Sequence, residues 1–320
     1  IAWGGQSNYF NSETPLVEVA DPVNTQTLFA YTSFKINDDV TASLQLNYGH
    51  EFSQNSGQLA FQVGSSGVTI NSDNPYIPAS IKSQMTAYGI SSFVLGTFNT
   101  NNAPGGTHNT SMHDNALSIG IPVNYNYRQM MRGVFTLTGT LGDNWSWNTY
   151  YEHGIARTWL RVIDNTSKSN LANAEDAVTV TAANVGTSGL SIGSITCRST
   201  LTDPGNGCAP LNVFGTNVAS PQAIAYVDSY SNGSTNSQNI DYENITMNQD
   251  VFDFDMQGTI PSPLDAGDLA VAFGALYRKE GARTVADPRN NAGFSWYSGN
   301  FLDFAGQYNV EEGFLEINAP

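Results

Sequence analysis

The chain of 320 residues is long enough for one large domain or two of ordinary size. It carries 12 Lys and Arg against 28 Asp and Glu, and the resulting net charge of −16 argues against nucleic-acid backbones as partners. Charged residues make up 12% of the chain, about half the usual fraction, and Asn, Ser, Thr, Gly and aromatic residues replace them. This composition favours strands and turns over helices.

The start of the chain, residues 1–10, has no basic region followed by an apolar core. This predicts that the chain carries no signal peptide, so that the protein is either intracellular or lacks its start. The longest apolar run, LAVAFGALY at 269–277, is well short of the roughly 18–20 residues of a membrane helix. Membrane helices are therefore not expected.

The first predicted element is a hairpin formed by residues 28–36 and 40–48. Both segments alternate apolar and polar side chains, which is typical of strands with one apolar face. A turn at 37–39 places Phe34 opposite Ala42 and brings the apolar side chains of both strands to one face. The same turn places Leu28 opposite Tyr48.

The long segment that follows contains one predicted helix, because Ile81, Met85 and Tyr88 recur at helical spacing. We expect this helix to be a packing element rather than a binding surface. Further along, His108 and His113 have a spacing that could serve a metal on a helix. The glycines and asparagine around them disfavour a helix, so a solvated loop is expected and no metal site is predicted.

A second hairpin is predicted around the turn 142–144. This turn sets Leu141 opposite Trp145 and Phe135 opposite Tyr151 on the apolar face.

Between the second and third hairpins lie the two cysteines, Cys197 and Cys208, in the turn-rich phrase CRSTLTDPGNGC. An isolated pair without nearby His or further Cys makes a poor zinc site. The pair predicts a disulfide that closes a loop, with two free thiols as the alternative. A disulfide would place this loop outside the reducing cytosol.

A third hairpin joins 251–260 to 269–280 through the connection 261–268. Its apolar face carries Phe252, Phe254, Met256 and Ile260 together with Leu269, Val271, Phe273, Ala275 and Tyr277. The opposite face carries Asp253, Asp255 and Arg278, and Arg278 is within reach of the two carboxylates across the hairpin. These three residues are candidates for a polar path, or they are ordinary wall residues that bond to water or to another domain.

The apolar faces of the three hairpins contain no charged residue. A membrane barrel and a protein core would both exclude charges there, so this absence does not separate the two. Loop lengths do: connections inside hairpins are short, whereas those near 53–127, 158–248 and 282–308 exceed the 12–15 residues that compact soluble domains tolerate without structure. Short turns at one end and long loops at the other are typical of outer-membrane barrels.

Strand length and aromatic residues fit a bilayer as well. Eight residue steps of about 3.3 Å, tilted by about 40°, climb about 20 Å and cover most of the roughly 25 Å apolar band. Aromatic side chains cluster near the ends of this band, as in the aromatic girdles of such barrels. The predicted lipid-facing aromatic residues are Tyr48, Phe135, Trp145, Trp147, Tyr151, Phe273 and Tyr277.

Five phrases, taken in order, carry a family resemblance. They are NPYIPASIKSQM at 74–85, GTLGDNWSWNTYYEHG at 139–154, CRSTLTDPGNGCAPLNVFG at 197–215, LAVAFGALYRKE at 269–280 and NVEEGFLEINAP at 309–320. Their order and spacing resemble the barrel of TonB-dependent outer-membrane receptors of Gram-negative bacteria, from about residue 25 to the end.

The resemblance implies a 22-stranded up-and-down transmembrane β-barrel with short periplasmic turns and long extracellular loops, which surrounds a plug domain. Such receptors import a scarce ligand with energy passed on by the TonB complex. About seven antiparallel strands are found here, and no plug, no TonB-contacting segment and no terminal strand ending in an aromatic residue. An open set of strands would leave unpaired edges in lipid, so the chain is expected to be a segment of a longer receptor.

Catalytic motifs are absent, so no enzyme and no cofactor are predicted. The expected partners are outer-membrane lipid, a plug domain, the TonB complex and a ligand whose identity no residue specifies. Two alternatives stay open: a passive porin-type barrel, which shares every hairpin feature, and a secreted all-β carbohydrate-binding module.

Overall fold

The structure is a computed structural model. It describes residues 20–56, 61–62, 68–95, 98–99, 122–214, 218–228, 240–262, 267–293 and 296–319. His108 and His113 lie outside the described residues.

A large antiparallel sheet dominates the described part of the chain, so the all-β class is confirmed. It contains seven strands, and their order in the sheet follows their order in the sequence. The strands are β1 (Val23–Lys35), β2 (Val40–Ser56), β7 (Val123–Leu141), β8 (Trp145–Ile163), β11 (Asp241–Ile260), β12 (Leu269–Ala286) and β13 (Phe304–Asn318).

The three predicted hairpins form, the first two with the predicted registers and the third with the predicted side chains on one face. Phe34 pairs with Ala42, Leu141 pairs with Trp145, and Ile260 pairs with Leu269. The pairing runs without a bulge along each strand pair, so alternate residues keep to one face throughout. We call the face with Tyr48, Phe135 and Tyr277 the apolar face, and the opposite one the polar face.

The connections between the sheet strands alternate in length. The short ones, 36–39, 142–144 and 261–268, join strand ends at one end of the sheet, which we call the turn end. The long ones, 57–122, 164–240 and 287–303, start and finish at strand ends on the other side, which we call the cap end. This is the arrangement that the sequence predicts, although the strands reach further into the long segments than the alternating pattern indicated.

The turns descend regularly across the sheet. Opposite Val40 lie Gly139, Trp147 and Met256 in successive strands. The second turn closes at Leu141, two residues beyond Gly139, and the third closes at Ile260, four residues beyond Met256. A drop of two residues for each hairpin is about 7 Å along the strands and about 10 Å across them, which corresponds to a strand tilt of about 35°.

The long connections contain their own secondary structure. The elements are β3 (Phe61–Gln62), β4 (Val68–Asn71), α1 (Ala79–Tyr88), β5 (Ser92–Leu95), β6 (Phe98–Asn99), α2 (Lys168–Glu175), β9 (Ala177–Thr179), β10 (Ile195–Cys197), a 3₁₀ helix (Arg198–Leu201), α3 (Pro221–Val227) and α4 (Pro288–Asn291). They pair as β3–β6, β4–β5 and β9–β10. We call the described residues of the three long connections the cap.

The main hydrophobic core of the described residues lies in the cap and not under the sheet. Ile70 from β4, Leu171 from α2 and Val227 from α3 meet there with Leu211. The predicted helix at 79–88 exists and contributes Met85, but Ile81 and Tyr88 remain exposed. Because the described parts of these connections have their own secondary structure and core, the length of the connections alone no longer argues against a soluble domain.

Candidate functional site

The polar face carries an ion pair at the middle of the sheet. Arg132 of β7 donates from Nε and Nη2 to the two carboxylate oxygens of Glu152 on β8, at 2.7 and 2.6 Å. The residue opposite Arg132 is Gly154, which leaves space for the guanidinium to lie along the sheet. Glu152 is buried, and the two parallel bonds satisfy its charge.

A second cluster lies two strands away, around Glu280 of β12. Its carboxylate accepts a hydrogen bond from Gln249 Nε2 at 2.8 Å and another from the Tyr308 hydroxyl. Arg278 Nε lies 3.4 Å from Glu280 Oε1. Three strands, β11, β12 and β13, are therefore linked through one carboxylate.

A recess of about 580 Å³ lies between these two clusters. Small residues on β8, β12 and β13 form its floor, namely Gly154, Ala156, Ala282 and Gly306. Met130, Met247 and Phe304 supply apolar walls, and Arg132, Glu152, Gln249, Glu280 and Tyr308 supply the polar edge. An apolar floor beside a few oriented polar groups is the usual make-up of small-molecule sites.

The three polar residues singled out from the sequence do not form one site. Asp255 accepts a hydrogen bond from Asn148 Nδ2 at 3.0 Å, on the neighbouring strand β8. Arg278 lies beside Glu280, and within the described residues it makes no ion pair with Asp253 or Asp255. The reason is the register: Arg278 lies opposite Val251, nearer the cap end than either aspartate.

The polar face is not uniformly polar. Phe29 and Tyr31 on β1 and Phe314 on β13 are exposed on this face. A Cβ on Gly274 would lie 2.5 Å from Phe314 Cε1, so the phenyl ring lies over this glycine. These aromatic residues belong to the two outermost strands, whose outer edges pair with no other described strand.

The seven predicted girdle residues all lie on the apolar face. Trp145 and Trp147 are near the turn end, while Tyr48, Tyr151 and Tyr277 lie further up the strands, with Phe135 and Phe273 between. Two of the indoles lie over glycines of the neighbouring strands, since a Cβ on Gly139 or Gly258 would lie 2.6 or 2.3 Å from Trp147 or Trp145. This contact fixes the rings against the sheet.

The upper limit of the apolar residues descends like the turns. On the apolar face of β2, Tyr48 is the last apolar residue before a polar one. Following the paired residues across the sheet from Tyr48 leads to Gly281 on β12, four strands away. On β12 the last apolar residue is Tyr277, which lies four residues closer to the turn end than Gly281. The line of turns and the upper limit of the apolar residues are therefore parallel. They enclose a band about 22 Å high, measured perpendicular to the line of turns, which we call the apolar belt.

In the cap, Arg198 joins the first and second long connections. Its Nη1 and Nη2 donate to the two carboxylate oxygens of Asp73 at 2.9 and 2.7 Å, and its Nε donates to Asp176 at 2.9 Å. The bonds from Arg198 hold the pKa of Asp73 below its ordinary value. Cys197, which directly precedes Arg198, forms a disulfide with Cys208, and their Cα atoms are 6.2 Å apart.

Asp241, at the cap end of β11, joins the second and third long connections to the sheet. Its carboxylate accepts from Asn290 Nδ2 at 2.8 Å and from Asn165 Nδ2 at 3.2 Å. It lies eleven residues above Phe252 and hence outside the apolar belt, fully buried among the connections. Burial, assisted by the nearby charge of Asp287, raises the pKa of Asp241 to about 6.

Among the described residues, no three His, Cys, Asp or Glu side chains are placed together to hold a metal ion. Among the same residues, no helix has the length and apolar character needed to cross a membrane. No model of a known protein family matches the chain, and no curated protein matches it with significant similarity.

Sequence reasoning missed the Arg132–Glu152 pair, the Glu280 cluster, the Arg198 contacts and Asp241. The first two could have been found by extending the hairpin registers towards the cap end, because parity alone places Arg132 and Glu152 on one face. The Arg198 contacts had no local signal, since Arg198 and Asp73 are separated by 125 residues.

Proposed function

We propose that the chain forms part of the wall of a TonB-dependent outer-membrane receptor. The observation that carries the proposal is the level apolar belt. Its strand tilt of about 35° and height of about 22 Å match the tilt of about 35–45° and the roughly 25 Å band of outer-membrane barrels. The ordered sequence phrases that resemble such receptors support the same proposal.

Exposure of the belt gives independent support. Leu28, Phe34 and Leu315 expose 66%, 71% and 65% of their surface on the apolar face. No described helix or strand of the cap covers them. An exposed apolar belt about 22 Å high is unfavourable in water, whereas contact with hydrocarbon carries no such cost.

The proposed mechanism is gated uptake without covalent chemistry. The cap, at the extracellular side, captures the ligand, because recognition residues concentrate on loops held by a rigid scaffold. The polar face with its recess lines the interior next to a plug domain, and the TonB complex supplies the energy. Further strands would pair with the outer edges of β1 and β13 and close the wall.

Cell fractionation tests membrane insertion. We expect the full-length protein to sediment with outer membranes and to migrate faster on gels before heating than after heating. A protein that stays in the soluble fraction with unchanged mobility would refute the proposal.

Transport separates this proposal from a passive porin-type barrel. Uptake through a TonB-dependent receptor stops when the inner-membrane potential is dissipated, whereas diffusion through a porin continues. Candidate ligands, including iron chelates, cobalamin and glycans, are compared with and without an uncoupler in cells that express the protein.

A further inference from the structure

Two neighbouring rows of residues on the polar face differ in character. The first row follows the pairing from β7 to β13 and consists of Arg132, Gly154, Gln249, Glu280 and Tyr308. We call it the polar row. The second row lies two residues closer to the cap end and consists of Met130, Ala156, Met247, Ala282 and Gly306. We call it the apolar row, and the recess lies over both rows.

The apolar row contains an open space beside Met247. Ala282 and Gly306 follow Met247 on the next two strands, and a Cβ on Gly306 would have no atom within 4 Å. Met247 and Phe304 are both exposed although they lie on the polar face, and they stand at two corners of this space. Two strand spacings make the space about 10 Å wide. We call the space over Ala282 and Gly306 the slot.

One edge of the slot is polar. Glu280 lies two residues from Ala282, towards the turn end, and its carboxylate accepts hydrogen bonds from Gln249 Nε2 at 2.8 Å and from the Tyr308 hydroxyl. A carboxylate has about four lone-pair positions, so Glu280 can accept a bond from a further donor. The slot therefore combines an acceptor at one edge with apolar surface elsewhere.

The charges around the slot disfavour an anionic ligand. Arg132 is the cation among the described residues that line the recess, and it already bonds to both carboxylate oxygens of Glu152. Arg278 lies beside Glu280, with 3.4 Å between Nε and Oε1. A carboxylate or phosphate on a ligand would meet Glu280 without a cation left to balance its charge.

The apolar surroundings also disfavour a sugar and favour a flat ring. A sugar carries hydroxyl groups around its whole ring, and those placed against Met247 and Ala282 would lose their bonds to water without replacement. An aromatic ring makes favourable contacts with the sulfur of Met247 and with the edge of Phe304. Gly306 has no side chain, so a ring can lie close to the backbone of β13.

We propose that the slot binds a neutral aromatic compound that carries a hydroxyl group. The ring lies over Ala282 and Gly306, and the hydroxyl donates a hydrogen bond to Glu280. This inference rests on the proposed function, because it names the class of ligand that the receptor takes up. Among the candidate ligands, it sets aside anionic iron chelates and glycans.

The first test compares three probes that share one ring system. Full-length protein in phosphatidylcholine nanodiscs is dialysed to equilibrium against 2-naphthol, naphthalene or 2-naphthoate at neutral pH, and binding to empty nanodiscs is subtracted. We expect 2-naphthol to bind about tenfold more tightly than naphthalene, which cannot donate to Glu280. The anion 2-naphthoate should bind more weakly than 2-naphthol by a similar factor or more. Equal binding of the three probes would overturn the proposal.

The second test fills the slot. Gly306→Val places methyl groups in the open space, and we expect 2-naphthol to bind about tenfold more weakly or worse. Gly49→Val is the matched control, because Gly49 lies opposite Met130 on the polar face and a Cβ there also has no atom within 4 Å. It is five strand spacings from Gly306, about 24 Å, and should bind like the wild type. An equal effect of the two substitutions would refute the slot.

A third variant tests the polar edge without filling the slot. Glu280→Gln replaces a charged acceptor by a neutral one, so it should weaken 2-naphthol binding about fivefold and leave naphthalene binding unchanged. Glu316→Gln removes the same charge on the same face near the turn end and is the control. If Gly306→Val does not insert into membranes, this pair of variants decides. Unchanged 2-naphthol binding in Glu280→Gln would contradict the proposed hydrogen bond.

The outcomes for the wild type separate this inference from the proposed function. A wild type that inserts into membranes but binds none of the three probes refutes the inference and leaves the proposed function intact. If Gly306→Val is then also less stable than Gly49→Val, a segment of the plug domain fills the slot instead. A wild type that does not insert refutes both.

Discussion

The cap and the sheet place their large apolar side chains in opposite environments. In the cap, Ile70, Leu211 and Val227 are completely enclosed, as in a protein that folds in water. On the sheet, Leu28, Phe34 and their neighbours on the apolar face point outwards and are covered by no described element. Since one chain contains both, the difference reflects the medium that each region meets: water around the cap, and hydrocarbon along the belt in our proposal.

The largest expected effect comes from opening the core of the cap. Leu211→Ala should lower the free energy of unfolding of the cap by about 2–5 kcal/mol, because a cavity remains where the side chain was. Hydrogen exchange should show faster exchange in α2 and α3 and unchanged protection in the sheet. The exposed Ile192→Ala, in the same connection, is the control and should have little effect. Equal loss of protection in the sheet would show that cap and sheet are a single cooperative unit.

A charge on the apolar belt tests the other side of the comparison. In our proposal the belt faces lipid, so Phe135→Lys would place a charge in hydrocarbon. It should destabilise the protein in a bilayer by about 2–4 kcal/mol. If water surrounds the belt, the substitution of an exposed side chain should stay within about 0.5 kcal/mol. Urea unfolding in lipid vesicles measures the difference. Gln129→Lys, on the same strand and face but above the belt, is the control.

Asp241 makes the junction between sheet and cap sensitive to pH. Its pKa is raised in the folded protein to about 6, so the folded state holds its proton more tightly than the unfolded state does. Stability should therefore be greatest at low pH and fall as the pH rises from about 4 to about 6. Asp241→Asn should remove this dependence and add roughly 1–3 kcal/mol at neutral pH. Thermal midpoints of both proteins across this range measure it, and parallel curves would contradict the prediction.

A smaller loss of stability is expected where a glycine of the belt lies under a tryptophan ring. Gly258→Ala should cost about 1–3 kcal/mol, because the added methyl would lie 2.3 Å from Trp145 Cδ2 and 2.6 Å from the backbone oxygen of Asn144. Gly49→Ala is the control, since no atom lies within 4 Å of its added methyl. Tryptophan fluorescence should shift in the first variant alone. Equal stability of the two variants would show that Trp145 moves aside freely.

The smallest effect is expected at Arg198. Arg198→Gln breaks its bonds to Asp73 and Asp176, which are partly exposed, so we expect a loss of about 1 kcal/mol in the cap. The loss should shrink in high salt, because solvent screens these pairs. Lys168→Gln removes the same charge from an exposed position of α2 and should have no measurable effect. An equal loss in both variants would indicate a general charge effect.

Much of the sheet could be predicted because local pattern and long-range pairing agree there. The alternation in 28–36 and 40–48 sets which side chains face together, and a turn of three residues then leaves one register. The prediction stopped too early on each strand, because beyond Tyr48 and Tyr277 both faces become polar and the alternation disappears. The ion pair of Arg132 and Glu152 lies in that region.

The contacts within the cap could not be predicted from the local sequence pattern. Its contacts join residues far apart in the chain, such as Asn71 with Asp176 and Arg198 with Asp73. The helix at 79–88 could be predicted from its spacing, yet only Met85 turned out to be buried. Helical spacing shows which residues share a face, but the partner of that face comes from another connection.

The sequence by itself determined the hairpin strands, the register inside the first two hairpins and which side chains of a hairpin share a face, because a period of two residues and a short turn are local properties. Only the tertiary structure decided the common slope of the turns and the apolar belt, and the buried position of Asp241. These depend on how neighbouring strands are offset and on which connections meet, and such offsets arise from pairing between segments that the local pattern does not relate.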